Sequence, residues 1–308
     1  MPIDVGKANT QVKAVDSDYE FTKPKFTLKD IILPQATSSG LEDYIYFIKV
    51  QDQIFNNWGL GETHKFSKQL AVNLYGEPGT GKTMAAHVIA SELNKPLISV
   101  NYSEIESKYV GETAKNITKL FLLAKEQDAI LFFDEADAIL SKRVTNMSSA
   151  TDVSVNQTRS VLLSLMNDHE GIIIFTTNFI ENYDAAFMRR ILSHIKFVLP
   201  ESYQRKCLWE KYIPSKLPVK DLNILELVSR SNGLSGSEIS NCVLKSAIKA
   251  ARLEVPKIEM DYFYSSILEV LNSKRENASK TYIDETFVEE DYVVSQIGIN
   301  ATEELKSA

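Results

Sequence analysis

Cysteine, histidine and long apolar runs are scarce in this 308-residue chain. Its two cysteines, Cys207 and Cys242, are too few for a disulfide framework or a zinc knuckle, and its four histidines lack the spacing of metal ligands. No apolar run approaches the roughly 20 residues of a membrane-spanning helix, and the first residues lack the basic start and apolar stretch of a signal peptide. These absences argue against a disulfide-stabilised secreted scaffold, a membrane protein and a histidine metal site, and we expect a cytoplasmic protein.

An excess of basic residues is missing as well. The chain has 34 Lys and Arg against 41 Asp and Glu, a net charge of −7. Residues 276–308 hold eight carboxylates and two lysines, a net of −6, so the rest of the chain is nearly neutral. Binding to DNA phosphates calls for a basic face. The composition therefore predicts no nucleic-acid partner and an acidic C-terminal segment over residues 276–308.

Short apolar runs alternate with helical patterns between residues 26 and 200. The runs that predict strands are Leu70–Tyr75, Leu97–Asn101, Ile130–Phe133 and Ile172–Thr176. This alternation is typical of an α/β fold in which a parallel sheet has helices on both faces. After Pro200 only helical patterns occur. We predict a flexible arm over residues 1–25, an α/β domain over residues 26–200 and a small all-helical domain over residues 201–275.

The strongest motif lies between a predicted strand and a predicted helix, and it reads Gly76-Glu77-Pro78-Gly79-Thr80-Gly81-Lys82-Thr83. Glycines let backbone N–H groups turn inward around phosphates, and the start of the following helix adds a positive dipole end. Lys82 supplies a charge for the phosphates of ATP, and Thr83 offers its hydroxyl to Mg²⁺. We add the next residue, Met84, to the predicted nucleotide-binding set. The alternative is a glycine-rich turn in another kind of enzyme.

Polar residues follow two of the predicted strands. Asp134 and Glu135 end the apolar run Ile130–Phe133, and Asn178 follows Thr176 and Thr177. Asp134 can hold a magnesium ion, Glu135 can take a proton from water, and Asn178 can reach a γ-phosphate. Ligands bind at the carboxyl ends of such strands. The alternatives are a solvent-exposed acidic strand end and an ordinary turn or cap asparagine.

Together the phosphate-binding loop, the run Phe132-Phe133-Asp134-Glu135-Ala136-Asp137, the asparagine after the next strand and the helical region resemble the AAA+ ATPases, within them the classical AAA group. The resemblance spans about residues 26–253. It implies a P-loop NTPase sheet followed by a helical AAA+ lid, with ATP and Mg²⁺ as cofactors. It also implies that Glu135 is the catalytic base, that Asn178 is the first sensor, and that the chain forms a homohexamer.

The segment Asp184–Arg190 resembles the part of such ATPases that supplies an arginine finger to the neighbouring subunit. Arg189 falls on the first finger position. Where the family often has a second arginine, this chain has Leu192, and Arg190 is the candidate that serves instead. A finger of this kind contributes roughly 10³–10⁵ in rate. The alternative is a pair of surface charges at a helix end.

The segment from Ser103 to Thr113 resembles the first pore loop of AAA unfoldases. The resemblance implies that Lys108, Tyr109, Val110 and Gly111 contact a substrate chain in the ring channel, where a tyrosine ring offers sequence-tolerant contact area. The alternative is that the tyrosine packs at a strand-to-helix turn. A polar loop over residues 143–157 fits a second pore loop or a plain surface loop.

Adenine contacts are expected from three further positions. The resemblance places Ile31 ahead of the core, and Leu208 and Gly236 in the helical domain, around the adenine ring.

Two functional hypotheses follow from these motifs. The first is an ATP-driven chaperone-like remodeller that engages a protein in its pore. Since no His-Glu-x-x-His occurs, a fused metalloprotease is not expected. A single short module resembles the bacterial ATPases that open HORMA-domain proteins beside cGAS-like nucleotidyltransferases in antiviral defence. General bacterial or prophage unfoldases are the alternative within this class. The second hypothesis is a nucleic-acid motor, which would need basic channel loops.

Overall fold

A computed structural model gives the structure of the protein and describes residues 21–64, 70–101, 113–141, 150–178 and 183–277. The chain divides into two compact units, the first ending at Val198 and the second beginning at Leu199. Among the described residues, no helix has both the length and the apolar content needed to span a bilayer.

A six-stranded sheet forms the centre of the first unit. Its strands, in chain order, are β1 (Phe21–Thr22), β2 (Leu70–Gly76), β3 (Leu97–Asn101), β4 (Ile130–Asp134), β5 (Ile172–Thr177) and β6 (Ser193–Phe197). Their spatial order is β1-β3-β4-β5-β2-β6, and every pair is parallel except β1 with β3. The predicted α/β fold with a mainly parallel sheet is confirmed.

The helices of the first unit lie between these strands in sequence. They are α1 (Gln35–Asp52), continued by a π-helical turn (Gln53–Asn57), α2 (Leu60–Thr63), α3 (Lys82–Glu92), α4 (Thr113–Glu126), α5 (Asp137–Leu140), α6 (Ala150–Asp168) and α7 (Ala185–Met188).

Apolar side chains cover the sheet on both faces. One cluster joins Leu120 of α4 and Leu162 of α6 to the strand residues Phe133 and Phe175, whose rings stack at 5.2 Å. The other cluster contains buried residues of α1, α3 and the opposite strand faces. β2, β4 and β5 are buried along almost their whole length, and their mainly apolar sequences, with Asn73 of β2 as a polar exception, match that position.

Two edge strands were not predicted from the sequence. β6 alternates, with Ile195 and Phe197 buried and Lys196 exposed, so it lacks the continuous apolar run of the central strands. The Thr37 hydroxyl donates to the Lys196 carbonyl at 2.8 Å, which ties α1 to this edge. β1 lies within the segment predicted as a flexible arm, and its two residues are held by antiparallel pairing with β3 rather than by a pattern of their own.

The predicted loop over residues 143–157 is wrong for its second half. α6 begins at Ala150, so residues 150–157 are helical. This part of the helix is rich in Ser, Thr, Asn and Asp, which have low helix propensity and hide the helical period. Packing of α6 against α4 outweighs that local preference. Residues 143–149 lie outside the described part of the chain.

The second unit is built from helices α8 (Ser202–Tyr212), α9 (Ile224–Arg230), α10 (Gly236–Arg252) and α11 (260–277). The Trp209 ring is fully buried against Phe263, and its indole N–H donates to the Ser231 hydroxyl at 3.0 Å. α10 starts with a capping box in which Ser235 and Glu238 bond each other's backbone N–H groups.

Candidate functional site

The loop between β2 and α3 is shaped by glycines with positive φ. Gly76, Gly79 and Gly81 have φ values of 134°, 72° and 103°, conformations that residues with a Cβ rarely adopt. A Cβ on Gly76 would lie 2.0 Å from the Phe197 carbonyl oxygen, so strand β6 leaves no room there. Gly81 is the N-cap of α3 and brings no side chain to cap the helix. The N–H groups of the first turn are thereby left for an anion.

Lys82 lies inside this loop with 8% of its surface exposed. Its ammonium donates to the carbonyls of Gly76 at 2.6 Å and Glu77 at 2.9 Å, and to Asn178 Oδ1 at 3.0 Å. Burial lowers the pKa of Lys82, while the nearby carboxylates of Asp137, Asp134 and Glu77 act in the opposite direction. Because its three hydrogen-bond acceptors are neutral oxygens, the charge remains available to a phosphate group.

Oxygen atoms that could serve as ligands of a metal ion lie next to Lys82 at the end of β4. The Thr83 hydroxyl donates to the Asp134 carboxylate at 3.1 Å, and Thr176 on the adjacent strand donates to the other carboxylate oxygen. Hydroxyl and carboxylate oxygens are what Mg²⁺ prefers, and Mg²⁺ usually takes one or two protein ligands together with phosphates and water. The described residues contain no cluster of three or more metal-binding side chains. Thr83 and Asp134 therefore fit a magnesium ion that arrives with a nucleotide.

Glu135 has an exposed side chain on a firmly held backbone. Its N–H donates to Thr176 Oγ1 at 3.1 Å and to Asp134 at 3.2 Å. Its φ of 52° is uncommon for a residue other than glycine and is typical of strain kept at functional sites. The carboxylate can accept a proton from water beside the phosphate-binding loop.

Asn178 is joined to the loop on one side and to an acid on the other. Its amide oxygen accepts the Lys82 hydrogen bond, and its backbone N–H points at both carboxylate oxygens of Asp137, each at 3.3 Å. Asp137 was quoted within the acidic motif but was not among the predicted site residues. Its position three residues after Asp134, directly behind the acidic strand end, was the signal that could have identified it.

The remaining predicted nucleotide contacts fall in both units. In the first unit, the Ile31 side chain reaches within 3.8 Å of the point where a Cβ of Gly81 would lie, and Met84 is half-buried in α3. In the second unit, Leu208 is buried on α8 and Gly236 begins α10, two helices that contact each other. Adenine binding by these residues stays a prediction.

The two candidate finger arginines are in different situations. Arg190 Nε donates to Asn167 Oδ1 at 2.7 Å, and its Nη1 donates to the Ala186 carbonyl at 2.8 Å. Arg189 follows α7, is exposed, and makes no side-chain hydrogen bond or ion pair within the described parts of the chain. Arg189 is therefore free to serve another molecule, whereas Arg190 is occupied within its own chain.

The predicted pore-loop residues Lys108, Tyr109, Val110 and Gly111 lie outside the described residues.

The chain is similar in sequence to known proteins. Residues 72–199 match the family described as "ATPase family associated with various cellular activities (AAA)". The chain is 36% identical over 263 residues to the proteasome-activating nucleotidase of Saccharolobus islandicus. The aligned segment covers 83% of this chain and 65% of that protein. It is 29% identical over 264 residues to the 26S proteasome regulatory subunit 6B homolog of Encephalitozoon cuniculi, covering 81% and 65%.

A third relative is the ATP-dependent zinc metalloprotease FtsH 2 of a Thermoanaerobacter species, 31% identical over 272 residues. The match covers 85% of this chain and 51% of that protein. The chain thus spans less than two thirds of the length of each of these relatives.

Proposed function

We propose that the chain, which matches the AAA ATPase family over residues 72–199, is an ATP-hydrolysing motor that remodels proteins. The observation that carries the proposal is the position of Lys82 inside the glycine loop, bonded to Asn178 and next to the Thr83–Asp134 pair. This arrangement suits a nucleoside triphosphate with its magnesium ion.

Each side chain of the site then has a distinct role. Lys82 and the N–H groups of the loop bind the phosphates, and Thr83 with Asp134 would hold Mg²⁺. Bound Mg²⁺ supplies positive charge that neutralises phosphate oxygens. Glu135 takes a proton from the attacking water, and Asn178 orients the reacting group while keeping Lys82 in place.

The site is completed by a second copy of the chain. Arg189 is exposed and uncommitted, and a cation brought to the γ-phosphate by a neighbouring subunit stabilises transition-state charge. A contact in which each subunit serves the next is head-to-tail and closes into a ring. We therefore propose a homohexamer in which Arg189 is the finger. Arg190 stays a weaker candidate because its guanidinium is already bonded to Asn167 and Ala186.

A polypeptide is the proposed substrate. The names of all three relatives refer to the proteasome or to an ATP-dependent protease, which favours protein over nucleic acid. The near-neutral body of the chain favours the same choice. We propose that Tyr109, with Lys108, Val110 and Gly111, grips the substrate chain.

The finer proposal concerns the partner. The finger segment ends Arg189-Arg190-Ile191-Leu192, which resembles the bacterial ATPases that open HORMA-domain proteins. On this resemblance, the proposed substrate is a HORMA-domain protein that regulates a cGAS-like nucleotidyltransferase in anti-phage defence. A general chaperone or unfoldase is the alternative, followed by a nucleic-acid motor. The predicted cytoplasmic location stays a prediction.

The test combines an ATPase assay with two variants. Glu135→Gln should retain nucleotide binding and lose hydrolysis, because the amide cannot accept the proton of water. Glu126→Gln, which removes an exposed carboxylate at the end of α4, is the matched control and should hydrolyse ATP normally. Normal turnover by Glu135→Gln would contradict the assignment of the base.

The substrate class is tested with the same assay. A purified HORMA-domain protein or unstructured casein should stimulate hydrolysis, whereas single-stranded and duplex DNA should not. Tyr109→Ala should keep the basal rate and lose stimulation, and Tyr109→Phe should keep both. Stimulation by DNA alone would replace the remodeller with the nucleic-acid motor.

A further inference from the structure

A small cluster of polar side chains is buried in the apolar core of the first unit. We call it the Tyr183 cluster, and it consists of Asn73 on β2, Thr177 at the end of β5, and Tyr183. Their exposures are 0%, 1% and 6%. The Thr177 hydroxyl donates to Asn73 Oδ1 at 3.4 Å, and the Tyr183 hydroxyl lies beside both residues.

The cluster is not fully hydrogen-bonded. Among the described residues, Asn73 Nδ2 and the Tyr183 hydroxyl make no hydrogen bond of good geometry. Burial raises the pKa of Tyr183 to about 12, against the influence of Thr177 and Asn73, so the phenol stays neutral. A buried polar group without a good partner costs stability, and apolar residues of the same size would not carry this cost. Stability alone therefore does not account for the cluster.

The position of the cluster connects two parts of the proposed mechanism. Thr177 directly precedes Asn178, the residue bonded to Lys82. Tyr183 directly precedes Asp184, whose side chain caps α7 by accepting from the Ala186 N–H at 2.8 Å. α7 has only four residues and ends immediately before Arg189.

The start of α7 is also held by contacts outside the cluster. Tyr183 forms an isolated antiparallel bridge with Ser141, and the Asp184 N–H donates to the Leu140 carbonyl at 2.9 Å. Arg159, 2% exposed, in turn holds Ser141 through a hydrogen bond from its guanidinium. A one-turn helix has almost no stability of its own, so these anchors, together with the fully buried Phe187 side chain, fix where Arg189 lies.

We propose that Tyr183 is a positioning residue for Arg189, and that its buried hydroxyl, with Asn73 and Thr177, sets the start of α7 relative to the strand that carries Asn178. The proposal rests on the proposed function, in which Arg189 completes the site of the neighbouring subunit. Tyr183 is buried and is not among the residues proposed to bind nucleotide or magnesium.

Tyr183→Phe tests this role because it removes one buried oxygen and keeps the ring. We expect the thermal midpoint to stay equal or rise, and the dissociation constant for a fluorescent ADP analogue to stay unchanged. The ATPase kcat should fall about three- to tenfold, which corresponds to a loss of about 0.7–1.4 kcal/mol of transition-state stabilisation.

Tyr44→Phe is the matched control. The Tyr44 hydroxyl is also buried in the first unit, where it donates to the Leu70 carbonyl at 2.7 Å. Tyr44 belongs to one of the two apolar clusters of the sheet and Tyr183 to the other. Removal of the Tyr44 hydroxyl should lower the thermal midpoint and leave kcat unchanged. The two variants thus separate a loss of stability from a loss of finger position.

Mixed rings decide whether Tyr183 acts through the finger. Glu135→Gln subunits cannot hydrolyse ATP but carry an intact Arg189, so mixing them with Tyr183→Phe or Arg189→Ala subunits should raise the rate per active site in both cases. A normal kcat for Tyr183→Phe, or a reduced kcat without rescue while Arg189→Ala is rescued, would overturn the positioning role alone. Failure to rescue Arg189→Ala would overturn the trans finger of the proposed function, and the positioning role with it.

Discussion

Gly76→Ala places a methyl group where the fold has no space. The added Cβ would lie 2.0 Å from the carbonyl oxygen of Phe197, a backbone atom of β6 paired with Gly76 in the sheet. Ordinary contact between such atoms begins above 3 Å, so either the loop or the strand must move by more than 1 Å. In addition, the φ of 134° at Gly76 is strained for alanine.

Gly59→Ala isolates the strain from the clash. Gly59 also has a positive φ, 75°, but nothing lies within 4 Å of its missing Cβ. A left-handed conformation costs a residue with a side chain about 1–2 kcal/mol, which is the expected loss for Gly59→Ala. For Gly76→Ala we expect about 3–5 kcal/mol, because the pairing of β2 with β6 is broken at its end as well.

Urea unfolding of the full chain, followed by tryptophan fluorescence and circular dichroism, measures both losses. Titration with a fluorescent ADP analogue measures the phosphate site in the same samples. Gly76→Ala should bind nucleotide at least tenfold more weakly, since the displaced loop also carries the carbonyl that holds Lys82. Equal destabilisation by the two variants, or unchanged nucleotide affinity in Gly76→Ala, would refute this reasoning.

Two further predictions concern stability. Burial, with a smaller influence from Lys125, lowers the pKa of His169 to about 4. In the unfolded chain the pKa of this histidine is near 6.5, so the unfolded chain takes up the proton first as the pH falls. The free energy of unfolding therefore decreases as pH falls from about 6.5 to 4. Between pH 7.5 and 5 the wild type should lose about 2 kcal/mol more than His169→Phe in urea titrations, and parallel profiles would contradict the shift. Ser235→Ala removes half of the capping box of α10 and should lower the free energy of unfolding by about 1 kcal/mol in the same urea titrations. An unchanged free energy of unfolding would show that the cap does not stabilise the helix.

The central strands and the phosphate loop were predictable because their signals are local. β2, β4 and β5 are mainly apolar runs, and the eight-residue loop has its glycines and lysine at fixed spacing between a strand and a helix. The edge strand β6 was missed because its short alternating sequence has few apolar residues. The start of α6 was missed because tertiary packing outweighs the weak helix propensity of its first residues.

The residues of the candidate site also fall into two groups: those that the sequence predicted and those that only the structure revealed. Lys82, Thr83, Asp134, Glu135 and Asn178 were identified from sequence, since each belongs to a motif whose chemistry depends on residue type. Asp137 was recognised only once its carboxylate was found facing the Asn178 N–H. The different situations of Arg189 and Arg190 also needed the structure, because side-chain partners far apart in sequence decide which guanidinium is free.

The amino-acid sequence by itself determined that this chain carries a phosphate-binding loop, an acidic strand end and a polar strand end in the order of an AAA ATPase, because such motifs are written in consecutive residues. Only the tertiary structure decided that these ends meet around Lys82, that β6 closes against Gly76, and that Asn73, Thr177 and Tyr183 form one buried cluster. Residues 73, 177 and 183 belong to three separate segments: the pairing of β2 with β5 brings the first two together, and a bridge to Ser141 holds the third.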